Sequence, residues 1–223
     1  MKFTHCHSCV ALGYIEGPKH WSIRMPDTGT AGDSDGDRGP IMNIKVVDAV
    51  HGDLRDEAWA LYHEAFHELN GLAVQRHLMY RSEFDEVMQD ERVQKYLCLD
   101  DDGSMCGLST YTNDLDAVPL ISPQYFQRRW PRHYAERRIW YCGFVAVHPN
   151  GRAANAFGDL VEAMYLVAAT QNGIIGLDFC KFNDESRRMS RVVRLMLHRL
   201  SGDVQAERMD EQQYWLYQFP SAA

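Results

Sequence analysis

A strand–helix–strand pattern in the second half of the chain constrains the fold more than any other feature of the sequence. Residues 138–148 are rich in aromatic and β-branched side chains and stop before Pro149, which predicts a strand. A helical run over residues 155–171 ends at Asn172-Gly173, a pair that tolerates the positive φ of a helix C-terminus. A second strand is predicted over residues 174–182. This spacing predicts a crossover between two parallel neighbouring strands.

The turn after the first of these strands has the chemistry of an anion site. Gly151 and Arg152 lie in this turn, directly before the predicted helix. The first turn of a helix leaves main-chain N–H groups without intrahelical partners, and its partial positive charge attracts an anion such as a diphosphate. We therefore predict an anion-binding site between this strand and this helix.

The composition is that of a globular domain. The chain has 223 residues, of which 45% are hydrophobic and 24% charged, and this is enough to bury a sizeable core. No apolar run reaches the ~20 residues of a membrane helix, and no signal-peptide pattern opens the chain, so we expect no membrane partner. The net charge of −8 argues against a nucleic-acid partner. The cysteines on predicted strands are expected to be reduced thiols, which favours a cytoplasmic location.

Residues 1–41 differ from the rest of the chain. Residues 28–40 are rich in Gly, Asp and Ser and have no apolar periodicity, which is typical of a linker or of disorder. His5-Cys-His-Ser-Cys9 supplies one Cys-x-x-Cys pair, whereas a structural zinc site needs about four ligands. We expect residues 1–41 to be a disordered or upstream extension and residues 42–223 to form the folded domain.

The remaining elements follow from periodicity and turn signals. A stripe of large apolar residues predicts an amphipathic helix over residues 53–70. A second helical region is predicted over residues 73–91, with a capping-box-like restart at Ser82 and Asp85. Residues 94–99 and 105–112 flank a Gly-containing turn and predict a β-hairpin. The other predictions are strands at 44–50, 204–207 and 214–219, a long aromatic and basic connection at 115–137, and a helix at 185–200.

The order of these elements over residues 44–219 is strand, two helices, two strands, an insert, and then strand, helix, strand, helix and two strands. Together with the ending Val145-Ala-Val-His-Pro149, this order resembles the GNAT acetyltransferase superfamily. The resemblance implies an α/β fold in a single domain, with a mixed, twisted central sheet flanked by helices. It also implies an acyl-CoA bound in a V-shaped opening between the two crossover strands.

The resemblance further implies which residues hold the donor. Main-chain groups of the first crossover strand pair with the pantetheine arm, and the N–H of Val147 polarises the thioester carbonyl. The diphosphate loop of the superfamily has the form Arg/Gln-x-x-Gly-x-Gly/Ala, and this chain has Arg152-Ala-Ala-Asn-Ala-Phe157 in register. The implied donor-binding residues are Val145, Val147, Arg152, Ala153, Asn155, Ala156, Phe157 and Asn183.

Proton transfer is less fully specified by the resemblance. Many relatives protonate the leaving thiolate with a Tyr on the helix that follows Asn183, but no Tyr occurs between Asn183 and Ser201. His198 is the nearest substitute that can donate a proton. An amine acceptor must also lose a proton, and Glu136 and Glu68 are the carboxylates that location suggests as the base.

These residues predict an N-acyltransferase that moves an acetyl or longer acyl group from acetyl-CoA or another acyl-CoA to an amine. The amine, on a small molecule or a protein, would attack the thioester directly without a covalent enzyme intermediate. Two partners remain as alternatives: a second copy of the chain in a homodimer, and an acyl-carrier protein that supplies the acyl group. The missing Tyr and the missing loop glycines favour an alternative, a catalytically inactive binding module of the same fold.

A second motif points to a different class of enzyme. His63-Glu-Ala-Phe-His67 places two imidazoles on one face of a helix for zinc, with Glu64 as the base, and Glu86 follows at a spacing that resembles gluzincin metallopeptidases. Zincins build a sheet before this helix, whereas a single predicted strand precedes it here. We therefore assign no metal and keep a zinc hydrolase as an alternative.

Overall fold

The computed structural model describes residues 9–10, 43–119, 121–148 and 155–219. The strands are β1 (Cys9–Val10), β2 (Asn43–Val47), β3 (Gln94–Leu99), β4 (Met105–Thr112), β5 (Ile139–Val147) and β6 (Ile174–Gly176). The helices are α1 (Gly52–Phe66), α2 (Leu69–Leu72), α3 (Arg81–Gln89), α4 (Pro123–Arg129), α5 (Pro131–Ala135), α6 (Ala156–Thr170), α7 (Lys181–Glu185) and α8 (Met189–Ser201). None of these helices is long and apolar enough to cross a bilayer.

The predicted crossover is confirmed. β5 and β6 are parallel neighbours, paired from Ile139↔Ile174 to Tyr141↔Gly176, and α6 connects them. α6 ends where the sequence predicts, because Asn172 takes a φ of 49° and a Cβ at Gly173 would lie 2.8 Å from the carbonyl oxygen of Arg138. These two positions bring the chain back against β5.

The sheet is mixed, and the fold is α/β with helices on both faces. Its order is β1-β5-β4-β3-β2, with β6 also paired to β5. β2, β3, β4 and β5 are antiparallel in succession, whereas β1 and β6 both run parallel to β5. The predicted hairpin is confirmed, and Gly103 supplies the positive φ of 85° in its turn.

Two hydrophobic cores lie on opposite faces of the sheet, and β5 contributes alternate residues to each. Phe144 and Ala146 pack with α1 and α3. Tyr62, Phe66 and Leu69, which belong to the apolar stripe of the helix predicted over residues 53–70, are buried in this core. Val145 and Val147 pack with α6 and α8 on the other face. This alternation is the period of two that a strand buried on both faces requires.

The predicted second strand of the crossover is too long. β6 stops at Gly176, where a Cβ would lie 2.9 Å from the ring of Tyr141, and the chain turns into α7 at Lys181. A hydrogen bond of 2.9 Å from the Tyr141 hydroxyl to Asp178 holds the intervening segment. β5 therefore has no β6 partner beyond Tyr141.

Helix predictions between α1 and α3 are also wrong in part. Residues 73–80 are not helical, because the Tyr62 hydroxyl donates to the carbonyl of His77 and accepts from the N–H of Met79. Helix α3 then begins at Arg81, with the Glu83 carboxylate accepting from the N–H of Tyr80 rather than through Ser82 and Asp85.

The two strands predicted near the C-terminus do not form among the described residues. Residues 202–219 are irregular, and the aromatic side chains from Tyr214 to Phe219 are half to almost fully exposed. Met209 packs instead on a third apolar cluster with Phe126 and Ile139. That cluster lies beneath α4 and α5, which form within the aromatic and basic connection predicted at 115–137. The sequence Ser122-Pro123 predicts the start of a short helix, and this is confirmed, because α4 begins at Pro123 with Ser122 as its N-cap.

Candidate active site

The edge of β5 that faces away from β4 is the centre of the candidate site. The N–H of Phe144 donates to the Thr110 hydroxyl at 3.3 Å and the N–H of His148 donates to the Cys106 carbonyl at 2.9 Å, so both point toward β4. Since main-chain groups alternate along a strand, those of Val145 and Val147 point toward the opposite edge. β6 has already ended at this level, so the two crossover strands diverge here.

The chain's own N-terminal segment pairs with this edge. β1 is parallel to β5, with Cys9 opposite Phe144 and Val10 opposite Val145. One edge of β5 is therefore shared by β6, at residues 139–141, and by β1, at residues 144–145. The rest of the predicted N-terminal extension, including Cys6, lies outside the described residues.

A β-bulge sits between these two pairings. The register of β4 and β5 shifts from Thr110↔Phe144 to Tyr111↔Cys142, which leaves Gly143 as the extra residue. A Cβ at Gly143 would lie 2.6 Å from the Thr110 hydroxyl oxygen, so only glycine fits without a shift. Bulges redirect main chain and side chains and are frequent beside active sites. A glycine inside a strand that is rich in aromatic and β-branched residues was the available sequence signal.

Helix α6 begins at the open end of the divergence. Arg152 and Ala153 lie outside the described residues; Asn155 is the N-cap of α6 and is exposed. Ala156 and Phe157 are buried, with 0% and 1% of their surfaces exposed, so the side chain of Phe157 turns into the core and does not crowd the N-terminus of α6. Burial and the nearby Glu162 carboxylate raise the pKa of Asp159, which lies in the first turn of α6.

An apolar cavity of about 30 Å³ lies at the point of divergence, on the α6 and α8 side. Its walls come from β4, β5, β6, α6 and α8, and Tyr111 and Cys142 are lining residues with polar side-chain atoms. Burial, with a smaller contribution from Asp178, raises the pKa of Cys142 to about 12. This thiol therefore stays protonated near neutral pH and is a poor nucleophile.

Only some of the predicted site residues lie near the divergence of β5 and β6. Asn183 is fully buried on α7 rather than at the end of a strand. His198 is exposed on α8, whereas the α8 side chains at the cavity are Val193 and Leu197. Glu136 lies before the start of β5, at the opposite end from α6.

The surroundings of Glu136 do not suit a general base. Its carboxylate pairs with Arg132 at 3.0 Å and with Arg138 at 2.5 Å. The hydrogen bond from Arg132 is the main cause that holds the pKa of Glu136 below its usual value, and the charges of both arginines add to it. Glu136 is therefore both distant from the divergence and a weaker base than a solvated carboxylate.

A carboxylate–imidazole pair stands closer to the open end of β5, and the sequence analysis did not assign it. The Glu64 carboxylate on α1 lies 3.5 Å from Nε2 of His148, the residue that follows β5. Both side chains are partly exposed, so a substrate can reach them. Glu64 was noted only as part of the His-Glu-x-x-His motif, and the pairing with His148 depends on how α1 packs across β5.

The zinc alternative gains no support from the geometry. The rings of His63 and His67 lie parallel with their centroids 5.9 Å apart, and Nδ1 of His67 is 3.0 Å from the carbonyl oxygen of Glu64. Within the described part of the chain, which includes Glu86, no three His, Cys, Asp or Glu side chains gather to hold a metal ion.

Comparisons with known proteins identify no family for this chain. No protein-family model and no curated protein matches it. Among solved structures, a mutant of the BH1408 protein from Bacillus halodurans is similar at a TM-score of 0.48 and 16% sequence identity. That alignment covers 78% of this chain and 100% of the Bacillus chain.

Proposed function

We propose that this protein is a GNAT-type N-acyltransferase that moves an acyl group from an acyl-CoA to an amine. The observation that carries the proposal is the divergence of β5 and β6. Beyond this divergence, the main chain of Val145 and Val147 faces an edge that β6 does not cover, and α6 begins after the end of β5. An extended donor with an amide-bearing arm and an anionic end requires these two features side by side.

The residues present fit such a donor. Val147 offers main-chain hydrogen bonds to the amides of the arm, and Val145 does so once β1 leaves this edge. The inward position of Phe157 keeps its side chain away from a diphosphate at the start of α6. Arg152 and the N–H groups of residues 153–157 remain the predicted diphosphate ligands. Asn183, buried on α7 beyond β6, is expected to hold the segment that borders the arm.

The bulge at Gly143 changes where we expect the thioester. A donor with its diphosphate at α6 and its arm along β5 places its thioester several residues before Val147, beside the bulge. We therefore assign the polarisation of the thioester carbonyl to main chain near Gly143 and the binding of the arm to Val147. The distortion of the ladder at Gly143 supports this assignment.

The Glu64–His148 pair lies at the end of β5, ~16 Å of extended strand beyond Gly143, so it borders the diphosphate end of the site rather than the thioester. The amine nitrogen forms a bond to the thioester carbonyl carbon and gives up its proton to water, and the C–S bond breaks to release the thiolate, which takes up a proton from water. Direct attack agrees with the chemistry of Cys142, the lining thiol at the divergence, which stays protonated.

Calorimetric titration of acetyl-CoA and of CoA into the full chain tests the donor. We expect saturable binding of both, weakened at least tenfold in Arg152→Ala because a bidentate phosphate contact is lost. Arg191→Ala, an exposed arginine on α8, is the matched control and should bind as the wild type does. Absence of binding by both ligands, or equal losses in the two variants, would contradict the proposal.

A non-catalytic module that binds an extended peptide is the second candidate. The pairing of β1 with β5 favours it, because this edge accepts a polypeptide main chain in the structure. Turnover separates the two candidates: an acyltransferase releases free CoA thiol when amines are supplied with acetyl-CoA, whereas a peptide-binding module does not.

A further inference from the structure

A polar cavity lies at the end of β5 that is farthest from α6. Its volume is about 220 Å³, and its lining residues are Asn113, Asp114, Leu115, Asp116, Tyr134, Arg137 and Ile139. The side chains of Leu115 and Ile139 are buried in the third apolar cluster, whereas the other lining residues carry polar or charged groups. The cavity therefore suits a small ligand that has both charged and apolar parts.

Main-chain hydrogen bonds hold the two sides of this cavity together. Asp114 follows β4, and its N–H donates to the Thr112 hydroxyl at 2.9 Å. Arg137 follows α5 and takes a φ of 52°, and its carbonyl accepts from the Asn113 side-chain amide at 3.0 Å. A residue other than glycine adopts this φ at a cost in free energy, and such positions cluster at ligand-binding sites. The fold thus fixes an arginine opposite an aspartate.

The charged and polar groups of the cavity have hydrogen-bonding capacity to spare. The Arg137 guanidinium is 3.4 Å from the Asp114 carboxylate and 3.4 Å from the Asn113 amide oxygen, and its side chain is 61% exposed. Both contacts are longer than the ~2.7–2.9 Å of a strong charge-assisted hydrogen bond. Neither the Tyr134 hydroxyl nor the Asp116 carboxylate has a hydrogen-bond partner in the part of the chain that the structure describes. A ligand carboxylate can therefore bind Arg137 through two parallel hydrogen bonds.

The charges of the lining indicate the charge of the ligand. Two carboxylates and one guanidinium line the cavity, which leaves an excess of negative charge. Arg92 lies near Asp114 and Asp116, but its guanidinium is paired with Asp90 at 2.5 Å. A ligand with one carboxylate and two ammonium groups complements this arrangement.

The volume of the cavity limits the size of the ligand. About 220 Å³ is roughly seven times the ~30 Å³ that a water molecule occupies in the liquid. It is smaller than the ~300 Å³ at which pockets for drug-sized molecules begin. A ligand of about seven to ten non-hydrogen atoms fits between these limits.

We propose that this cavity binds a free α-amino acid with a cationic side chain, of the size of lysine or ornithine. Arg137 holds the α-carboxylate, and Asp114 and Asp116 hold the two ammonium groups. Ile139 precedes Gly143 by ~13 Å of extended strand, so the ligand does not reach a thioester beside the bulge. The site is therefore separate from the donor and acceptor of the proposed function and goes beyond it.

The test is calorimetric titration of the full chain with lysine, with norleucine, which lacks the side-chain ammonium, and with cadaverine, which lacks the carboxylate. Arg137→Gly removes the guanidinium and suits the positive φ at this position. Asp116→Asn removes the charge of an exposed carboxylate. Arg128→Ala and Asp101→Asn, at exposed positions that do not line the cavity, are the matched controls.

We expect lysine to bind saturably, and norleucine and cadaverine to bind about fivefold more weakly or worse, because each lacks one charged contact. Arg137→Gly and Asp116→Asn should each weaken lysine binding about tenfold or more, and both controls should bind as the wild type does. The melting temperature of Arg137→Gly should match or exceed that of the wild type, so its loss of binding would not be a loss of fold.

Three results would overturn the proposal: no binding of lysine, binding of norleucine or cadaverine as tight as that of lysine, or losses in the two cavity variants no larger than in their controls. None of these measurements involves CoA. The amino-acid site and the proposed acyltransferase function can therefore fail independently of each other.

Discussion

At the scale of single residues, Lys95 makes stability depend on pH in a direction unusual for a lysine. Its side chain is fully buried, and Nζ donates to the carbonyls of Asp48 and Asp90, each at 2.7 Å. Burial lowers the pKa of Lys95 to about 8, from the ordinary lysine value of 10.5. Above pH 8 the folded chain gives up this proton while the unfolded chain still holds it, so the free energy of unfolding rises with pH.

We expect this contribution to reach on the order of 2 kcal/mol between pH 8 and pH 10. The rise in the free energy of unfolding ends near pH 10, because burial raises the pKa of Tyr96 to about 12. Unfolded tyrosines ionise near pH 10 while Tyr96 in the folded chain stays protonated, and this lowers the free energy of unfolding as the pH rises. Urea unfolding at several pH values measures the slope. Lys95→Met should lose it, whereas Lys45→Met, at an exposed lysine on β2, should keep it; an unchanged slope in Lys95→Met would refute the assignment.

The Glu64–His148 pair leads to a second prediction at this scale. His148 lies ~16 Å of extended strand beyond Gly143, so the pair does not reach a thioester beside the bulge. Glu64→Gln should therefore leave kcat/KM for the amine unchanged, as should Glu68→Gln, at an exposed position just beyond α1. A loss of about 10²-fold or more in Glu64→Gln alone would identify this pair as the general base and contradict the placement of the thioester beside Gly143.

At the scale of elements, β1 occupies part of the edge that the donor would need. Val10→Pro removes a main-chain N–H and disfavours strand pairing, so it should release β1 from β5. We expect acetyl-CoA to bind several-fold more tightly to this variant, whereas Val10→Ala, which keeps the main chain, should match the wild type. Calorimetry measures both. Weaker donor binding in Val10→Pro would mean that β1 supports the site.

Elements with strong local signals could be predicted from the sequence, and elements set by distant contacts could not. The β5–α6–β6 crossover follows from apolar runs and from Asn172, whose positive φ is a local property. The loss of helix over residues 73–80 depends on the Tyr62 hydroxyl, which lies on another element. The same distinction applies to the candidate site. The edge of β5 could be predicted from local sequence, whereas the inward turn of Phe157 and the Glu64–His148 pairing depend on how the elements pack.

At the scale of the whole molecule, the C-terminal segment exposes an unusual apolar surface. Trp215, Leu216, Tyr217 and Phe219 are 74%, 93%, 75% and 84% exposed, within a run whose sequence predicts a strand. Consecutive exposed side chains of this kind favour association between copies. We expect sedimentation velocity to show self-association that increases with concentration.

Replacing Trp215 and Leu216 together with serine should reduce this self-association and leave the melting temperature unchanged, because neither side chain contributes to the described cores. The matched control replaces Gln212 and Gln213, exposed polar neighbours, with serine. Equal association in the aromatic variant and in this control would show that the segment is not the contact.

The same exposure makes Trp215 an optical reporter that the chain carries without a label. Trp140 is 4% exposed and stacks on Tyr111, so its fluorescence is shielded from aqueous quenchers, whereas the indole of Trp215 is open to them. Any event that covers the C-terminal segment would move emission to shorter wavelengths and reduce quenching by acrylamide. Since Trp59 and Trp130 are also partly exposed, the part of the fluorescence change that disappears in Trp215→Phe reports the association of this segment, in a cuvette and in real time.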